Sequence, residues 1–314
     1  MSNTDRRRFI SSLATAGLAL PLYGLTLKDF FLRSGLTGRI HIFSKSLTWL
    51  SYDEMAALIA STGAGGIDLT VRPGGNVLPE NAERDLPLAV KAARKKGLEV
   101  EMIVTSILRA NEQYAETIVR TAASLGVKYY RMGWLNYDEK LGIAGTIEEY
   151  RKDLFFLERL NRKYNIHGAY QNHAGTMAGS SVWDIYEMLK DFDPQYIGCQ
   201  YDVRHAVVEG FNSWPNGLKL MAPWIKCTDI KDFRWRTENG KTEAESVPLG
   251  EGVVDFKTYF TLVQQLGLNG PVSVHFEYPP VEGTIKPLPM NEKVKIFRTT
   301  MKKDIDWLRI SVSQ

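Results

Sequence analysis

The chain has 314 residues, of which 44% are hydrophobic and 24% are charged, and this composition is typical of a globular protein with a full core. Its formal charge is only +3 and no basic stripe alternates with aromatic residues, which excludes a nucleic-acid-binding footprint. Beyond the N-terminal segment, no apolar run approaches the roughly 18 residues that a membrane-spanning helix needs.

The first predicted element is an export leader over residues 1–35. Asp5–Ile10 reads DRRRFI and resembles a twin-arginine signal, in which an arginine pair precedes an aromatic and an aliphatic residue. The modestly apolar stretch Ile10–Leu25 then serves as the hydrophobic part of the signal. The alternative interpretation is a basic amphipathic helix, and both cleavage near residue 30 and retention as an anchor stay open. We expect a bacterial periplasmic protein.

After the leader, short β-rich segments alternate with longer helical patterns, as in a parallel sheet with crossover helices. The predicted strands are Arg39–Phe43, Gly66–Thr70, Leu98–Val104, Lys128–Met132, His167–Gln171, Tyr196–Asp202, Trp224–Ile230 and Pro271–Glu277. Eight such units without a linker predict one (β/α)8 TIM barrel over residues 36–314. A doubly wound open sheet is the main alternative, but Ser44–Leu47 after the first strand contains no glycine-rich turn.

The predicted helices carry start and stop signals. Ser51 with Glu54, and Thr146 with Glu149, have the spacing of capping boxes, in which hydroxyl and carboxylate satisfy free amide groups at a helix start. Glycines follow four of the predicted helices, where a left-handed cap is expected, at positions Gly63, Gly97, Gly126 and Gly267.

The two cysteines are not expected to form a disulfide. Cys199 has the opposite strand parity to Asp202, whereas Cys227 shares the parity of Asp229. Alternate residues of a strand point to opposite faces, so one cysteine should face the helices and the other the barrel interior.

Polar residues collect at the predicted carboxyl ends of the strands, which is where TIM barrels place their functional groups. They are Ser44, Lys45, Asp68, Arg72, Thr105, Arg131, Trp134, Gln171, His173, Asp202, His205, Asp229, Lys231, His275 and Glu277. Because buried polar groups without partners cost free energy, this ring predicts a functional site at that end of the barrel.

Four motifs within this ring resemble the sugar isomerase/epimerase family with the xylose-isomerase-like barrel, over residues 38–311. They are the D-x-x-H of Asp202 and His205, the K-D of Lys231 and Asp232, Glu277 on the last strand, and the segment Leu249–Phe256. The resemblance implies a divalent metal held by residues from strands five to eight. Carried onto this sequence, the ligand positions are Gln171, Asp202, Asp229 and Glu277.

Two of these positions depart from the family pattern. Gln171 stands where the family has a glutamate, and Asp229 stands where it has a histidine, so the four positions keep three negative charges. An all-oxygen set favours Mn²⁺ or Mg²⁺ over Zn²⁺. His173 and His275 are alternative ligands, and loss of metal binding is the other interpretation of the departures.

The amide of Gln171 also limits the reaction, because it cannot accept a proton at neutral pH. The resemblance implies an enzyme that moves a proton next to the carbonyl of a ketose or keto-sugar through a metal-stabilised enediolate. With one carboxylate of the usual pair lost, a one-base reaction fits better than a two-carboxylate epimerisation. Glu277 is the predicted base, and His205 and Lys231 are predicted to stabilise or protonate the developing charge.

Further residues are predicted to bind the substrate. They are Arg72, Trp134, His173, Arg234, Arg236 and His275. Arg234 and Arg236 follow strand seven, where the resemblance places a substrate-binding arginine. Trp214, Phe233 and Trp235 are expected in loops at the same end, while His41 and His167 are expected to be structural.

The sequence also offers alternatives to this function. A lyase or hydratase acting on 3-keto-sugars would use the same site, and Gln171 favours it. A sugar-binding relative without catalysis is a further alternative. A DNA endonuclease sharing the barrel would need a histidine-rich zinc cluster, which five histidines do not provide. The predicted partner is a small sugar, with no nucleic acid and no membrane span beyond the leader, and the sequence leaves open whether the chain forms a homo-oligomer.

Overall fold

The strand segments are short and are buried on both faces, because a barrel wall has the interior on one side and helices on the other. Every residue of Ile40–Phe43, Gly66–Thr70, His167–Gln171 and Ile197–Asp202 is buried. Polar residues within such strands therefore need partners inside the protein. The candidate site is built from these polar residues.

The computed structural model describes residues 39–282 and 288–311, so the predicted leader, residues 1–35, lies outside the described residues. The described strands are β1 (Ile40–Phe43), β2 (Gly66–Thr70), β3 (Glu99–Val104), β4 (Tyr129–Arg131), β5 (His167–Gln171), β6 (Ile197–Asp202), β7 (Ile225–Ile230), β8 (Asp232–Glu238), β9 (Lys241–Val247) and β10 (Val272–Val274). The described α-helices are α1 (Tyr52–Thr62), α2 (Ala82–Lys95), α3 (Ala115–Ser124), α4 (Gly142–Tyr164), α5 (Val182–Leu189), α6 (Val203–Gly210), α7 (Trp214–Met221), α8 (Phe256–Gln265) and α9 (Met290–Ser311).

The strands β1 to β7 and β10 close into one barrel, in which β10 pairs with β7 on one side and with β1 on the other. All of these pairings are parallel, and each chain crossover returns through helical structure. Closure satisfies the backbone groups that an open sheet would leave at its edges. The predicted TIM barrel is confirmed. None of the described helices is long and apolar enough to cross a membrane.

The helix signals are confirmed at all but one position. Ser51 caps α1 with a complete capping box, and Gly63 ends the same helix at φ 87°, where a side chain would be strained. Positive φ angles are also found at Gly97, Gly126 and Gly267. The capping box predicted at Thr146 is wrong, because α4 begins one turn earlier and the Thr146 hydroxyl donates to the Gly142 carbonyl inside the helix.

The apolar residues form two separate layers, one between the strands and the helices and one inside the barrel. The large outer layer contains Cys199, whereas the small inner cluster contains Cys227 with Met102 and Ala169. The cysteines thus lie on opposite faces of the wall, as their parity predicted, and both are free. The inner cluster fills the barrel interior with side chains, so the polar mouth lies over a packed floor and not over a pore.

The second half of the chain differs from the prediction in three ways. A two-stranded antiparallel hairpin, β8–β9, follows β7 directly, so Phe233 and Trp235 lie on a strand and not in a loop. Trp214 lies at the start of α7 and is buried. The final barrel strand ends at Val274, which leaves His275 and Glu277 in the segment that follows it.

Candidate active site

The carboxyl ends of β5, β6 and β7 and the segment after β10 bring the four family-derived positions together at the barrel mouth. Gln171 Nε2 lies 3.0 Å from Asp202 Oδ2 and 2.6 Å from Asp229 Oδ2. Glu277 joins this group through Lys231, whose Nζ lies 3.1 Å from Asp202 Oδ2 and 2.9 Å from Glu277 Oε2. The two aspartates are fully buried, whereas the Glu277 side chain is 24% exposed.

The orientation of the Gln171 amide is determined by its partners. Its Oε1 accepts a hydrogen bond from Arg131 Nη1 at 2.9 Å, while its Nε2 donates to Asp202 and Asp229. A guanidinium group can only donate and an ionised carboxylate can only accept, so exchanging the amide oxygen and nitrogen would break these contacts. The amide therefore turns its N–H groups, and not its oxygen, toward the two carboxylates.

Lys231 supplies a positive charge between two of these positions, Asp202 and Glu277. Its side chain is almost completely buried between Asp202 and Glu277. Burial alone would lower the pKa of Lys231, but the charges of Asp202 and Glu277 outweigh burial and raise the pKa above its ordinary value. The side chain is consequently an ammonium group at neutral pH, hydrogen-bonded to Glu277 and ion-paired with Asp202.

A divalent cation does not fit among Gln171, Asp202, Asp229 and Glu277 in this arrangement. The Lys231 ammonium already bridges Asp202 and Glu277, and the Gln171 oxygen, the atom of that amide able to bind a metal, is turned away toward Arg131. An ion placed there would be repelled by the lysine and would lack the amide oxygen as a ligand. The geometry thus gives no support to the predicted four-ligand set or to a preference for Mn²⁺ or Mg²⁺ within it.

A different group of metal-ligating atoms lies beside these positions. Asp68, Asp229 and His275 each offer one ligand atom, and these atoms lie within 4.8 Å of one another. His275 Nε2 is 3.3 Å from Asp229 Oδ1. Burial raises the pKa of Asp68 to about 6, with a further contribution from the charge of Asp229. Burial also raises the pKa of Asp229 to about 6, although a hydrogen bond from Gln200 opposes it.

Glu277 is the carboxylate of this site that reaches the barrel mouth. Its Oε2 accepts from Lys231, and its Oε1 lies 3.4 Å from Lys45 Nζ, which also pairs with Glu282 at 2.7 Å. Burial alone would raise the pKa of Glu277, but the surrounding positive charges, with Lys231 the largest, hold it well below its usual range. Glu277 is therefore an ionised hydrogen-bond acceptor, and it becomes a stronger base when another anion shares its lysines.

His205 is neutral, and its tautomer follows from its contacts. The Asp202 carboxylate caps α6 and accepts from the backbone N–H of His205 at 3.1 Å. Arg204 Nη1 lies 3.0 Å from His205 Nδ1, and because guanidinium only donates, Nδ1 is the acceptor. The ring proton then lies on Nε2, 3.6 Å from Asp202 Oδ2. Burial, followed by the charge of Lys231, lowers the pKa of His205 well below its ordinary value.

Three of the predicted substrate-binding residues lie partly exposed at the barrel mouth. The His173 ring packs against the Trp134 ring at 4.6 Å and against the His205 ring at 4.0 Å between centroids. Burial lowers the pKa of His173 to about 4, so the ring is neutral at neutral pH. Arg72 lies over the Phe43 ring at 5.9 Å. The structure thus brings Trp134, His173 and Arg72 to the same end of the barrel, and their predicted role in substrate binding stays a prediction.

Arg234 and Arg236 lie elsewhere. Both are exposed on the β8–β9 hairpin, where Glu245 accepts from Arg234 Nε at 2.7 Å and from Arg236 Nη1 at 3.0 Å. Their described ion pairs are with carboxylates of the hairpin itself, so the structure does not bring them to Gln171 or Glu277. The sequence analysis does not predict this hairpin. On its first strand, the side chains of Arg234 and Arg236 point outward to solvent.

Three residues that sequence reasoning gave no role belong to the site. Arg131 orients Gln171, Lys45 pairs with Glu277, and Asp68 lies in the group with Asp229 and His275. Each belongs to the polar ring at the ends of the predicted strands. The family motifs give them no role, because those motifs come from strands five to eight, whereas these side chains come from β2, β4 and the turn after β1.

Asp232, the second residue of the K-D motif, organises the loop before α8. Its Oδ2 accepts from the backbone N–H groups of Gly250 and Gly252, each at 3.0 Å, and its Oδ1 accepts from Val254 at 3.2 Å. The two residues of the motif therefore have separate tasks: Lys231 enters the site, and Asp232 shapes the Leu249–Phe256 segment.

Solved structures with this architecture include enzymes of more than one reaction type. The chain is similar to the 3-keto-D-glucoside 4-epimerase YcjR from E. coli, with 14% identity, a TM-score of 0.62, and coverage of 87% of this chain and 99% of that one. It is also similar to the probable 3-DHS dehydratase AsbF from Bacillus anthracis, with 14% identity, a TM-score of 0.60, and coverage of 86% and 98%. A xylose isomerase-like barrel protein from Mycobacterium smegmatis, solved with magnesium, has 14% identity, a TM-score of 0.62, and coverage of 88% and 96%.

At such identities these similarities establish the fold alone. No curated protein sequence matches the chain. The sequence profile described as xylose isomerase-like TIM barrel matches residues 56–309, which is most of the chain and includes seven of the eight strands of the closed barrel. The chain therefore belongs to the xylose isomerase-like TIM barrel family.

Proposed function

We propose that the chain is an enzyme that moves a proton at the carbon next to the carbonyl of a ketose or keto-sugar. The observation that carries this proposal is the Glu277 carboxylate at the barrel mouth, paired with the buried Lys231 ammonium at 2.9 Å. Proton abstraction beside a carbonyl needs a base and a positive group for the oxygen that becomes negative. Glu277 and Lys231 provide both within one hydrogen-bonded pair.

In this proposal Glu277 removes the proton from the carbon, and the enediolate oxygen is stabilised by Lys231. As negative charge develops on the substrate, the ammonium is shared between two anions, so it holds the Glu277 carboxylate less strongly and the carboxylate becomes more basic. Neutral His205 and His173 are placed to donate or accept a proton at the oxygens. A same-face return of the proton to the neighbouring carbon gives an aldose–ketose shift.

A lyase or hydratase acting on a 3-keto-sugar is the second candidate. Gln171 favours it, because an amide stands where a two-base epimerisation needs a second carboxylate on the opposite face of the substrate. In that reaction the same proton abstraction is followed by loss of a hydroxyl group as water. The fold similarity to both an epimerase and a probable dehydratase is compatible with either outcome.

The test is exchange of substrate hydrogen for deuterium in D2O, followed by NMR on a panel of ketoses and 3-keto-sugars. Wild-type protein should incorporate deuterium at the carbon beside the carbonyl, and Glu277→Gln should lower that rate by about 10²–10⁴-fold, the usual contribution of a general base. The product separates the candidates, since an unsaturated sugar indicates elimination and a rearranged sugar indicates isomerisation.

The matched control is Glu251→Gln, which makes the same change at an exposed glutamate paired with Lys303. Its exchange rate should equal that of wild type. Full activity of Glu277→Gln would reject Glu277 as the base. Binding of a sugar by wild type without any exchange would reject catalysis and support a sugar-binding relative.

We also propose that the protein is exported. The support is the DRRRFI motif and the apolar stretch after it within residues 1–35. Replacing Arg6 and Arg7 with lysine in the full chain should retain the protein in the cytoplasm of a bacterial host, as measured by cell fractionation. Unchanged export of that variant would contradict a twin-arginine signal.

A further inference from the structure

We propose that Asp68, Asp229 and His275 bind one divalent cation of the first transition series. This metal site differs from the four family-derived positions and shares only Asp229 with them. It draws its residues from β2, β7 and the segment after β10, which pack around the inside of the barrel. The proposal does not depend on the reaction that the enzyme catalyses.

The first support is the distance between potential ligand atoms. All three lie within 4.8 Å of one another, close to the span of about 4 Å across an ion with ligand bonds of about 2.0–2.2 Å. The separation of 3.3 Å between His275 Nε2 and Asp229 Oδ1 is that of two adjacent ligands. Only small side-chain movements would bring Asp68 to the same ion.

The second support is a set of buried atoms without partners. Asp68 Oδ1 and both ring nitrogens of His275 make no hydrogen bond with any described residue. Asp68 is 0% exposed and His275 is 1% exposed, so neither side chain is in contact with bulk solvent. A buried polar atom left unpaired costs about 1–3 kcal/mol. An ion bound to these atoms would satisfy them.

The third support is that neighbouring side chains already orient the ligands. Ser273 Oγ donates to Asp68 Oδ2 at 2.7 Å, which leaves the other oxygen of that carboxylate for an ion. Asp229 accepts at 2.6 Å from Gln200 Nε2 on Oδ1 and from Gln171 Nε2 on Oδ2, and each oxygen keeps a second lone pair for an ion. The Phe43 ring stacks on the His275 ring at 4.3 Å. Contacts of this kind around metal ligands hold them in position and contribute to affinity.

The charges are consistent with a divalent ion. Asp68 and Asp229 contribute carboxylate oxygens that can balance the charge of a divalent ion, and His275 contributes an imidazole nitrogen.

The ligand types indicate which metal is preferred. One imidazole nitrogen with two carboxylates suits Mn²⁺, Co²⁺ or Zn²⁺ better than Mg²⁺ or Ca²⁺, which prefer all-oxygen sets. This differs from the preference for Mn²⁺ or Mg²⁺ derived from the four family positions, because His275 replaces an oxygen ligand.

The test is direct binding of Mn²⁺ to the full chain, measured by loss of the free-ion signal in electron paramagnetic resonance. One ion should bind per chain, and Asp68→Asn and His275→Gln should each weaken binding by at least about 100-fold. Ser273→Ala, which removes only an orienting hydrogen bond, should weaken it by about 10-fold. Circular dichroism of each variant establishes that it is folded.

The comparison variant is Asp202→Asn, which alters a family-derived position outside the proposed site and should weaken Mn²⁺ binding far less than Asp68→Asn does. Loss of binding in Asp202→Asn would overturn the proposal and place the ion at the family positions. Wild-type affinity in folded Asp68→Asn and His275→Gln would overturn it as well. So would the absence of Mn²⁺, Co²⁺ and Zn²⁺ binding to wild-type protein at millimolar concentrations.

Discussion

Replacing Lys231 with methionine tests whether this lysine is the cation that holds the site together. Methionine keeps most of the side-chain length but removes the ammonium group from between Asp202 and Glu277, which lie 3.1 and 2.9 Å away. Breaking a buried ion pair costs about 3–5 kcal/mol, because the remaining charge is left without its partner. Here both carboxylates keep other contacts, Asp202 with Gln171 and Glu277 with Lys45, so we expect a value near 3 kcal/mol.

The assay is urea unfolding followed by circular dichroism at neutral pH, with Lys302→Met as the matched control. Lys302 also forms an ion pair, with Asp306 at 2.7 Å, but both partners are nearly half exposed. Water screens such a pair, so the control should lose less than about 1 kcal/mol of unfolding free energy.

A second change distinguishes lost charge from lost packing. Adding Asp202→Asn to Lys231→Met removes one of the uncompensated carboxylates, so the double variant should be more stable than the sum of the single changes predicts, by at least about 1 kcal/mol. The reasoning is refuted if Lys231→Met loses no more stability than Lys302→Met, or if the effects of Lys231→Met and Asp202→Asn simply add.

Two further predictions concern the barrel wall and the loop before α8. Burial lowers the pKa of His167 from 6.5 to about 4, so the unfolded chain binds more protons between these values and stability falls as pH falls from about 6.5 to about 4. This contributes about 3 kcal/mol to the difference in unfolding free energy between pH 7 and pH 4. His167→Gln should reduce that difference, measured by urea unfolding, by the same amount. An unchanged difference would contradict this prediction. Gly252→Ala would place a methyl group 2.2 Å from Asp232 Oδ1. Thermal unfolding should therefore show that the variant loses about 2 kcal/mol or more of stability. A stability equal to that of wild type would show that the loop adapts freely.

Most of the fold was predictable because its signals are local. Burial on both faces makes the barrel strands apolar, and glycines such as Gly63 and Gly97 end helices through a backbone conformation that needs no distant partner. The cysteine orientations followed from strand parity in the same way. The position of each strand end then predicted which polar residues would meet at the mouth.

The errors in the fold arose where a local signal competes with its surroundings. Thr146 and Glu149 have capping spacing, yet the helix extends back to Gly142, because several starting points are locally acceptable and packing selects among them. The β8–β9 hairpin was missed since its strands carry many charged residues and little apolar pattern. Arg234 and Arg236 do follow strand seven as expected, but they lie on this hairpin, and their role in substrate binding stays a prediction.

By itself the sequence determined the barrel, the end at which its polar groups gather, and the replacement of a carboxylate by Gln171. Only the tertiary structure decided how those groups pair. Lys231 bridges carboxylates from two other parts of the chain, Arg131 turns the Gln171 amide, and Asp68 approaches Asp229 across the barrel interior. Contacts between distant strands depend on side-chain length, direction and burial together, and none of these is encoded in the spacing of residues along one strand.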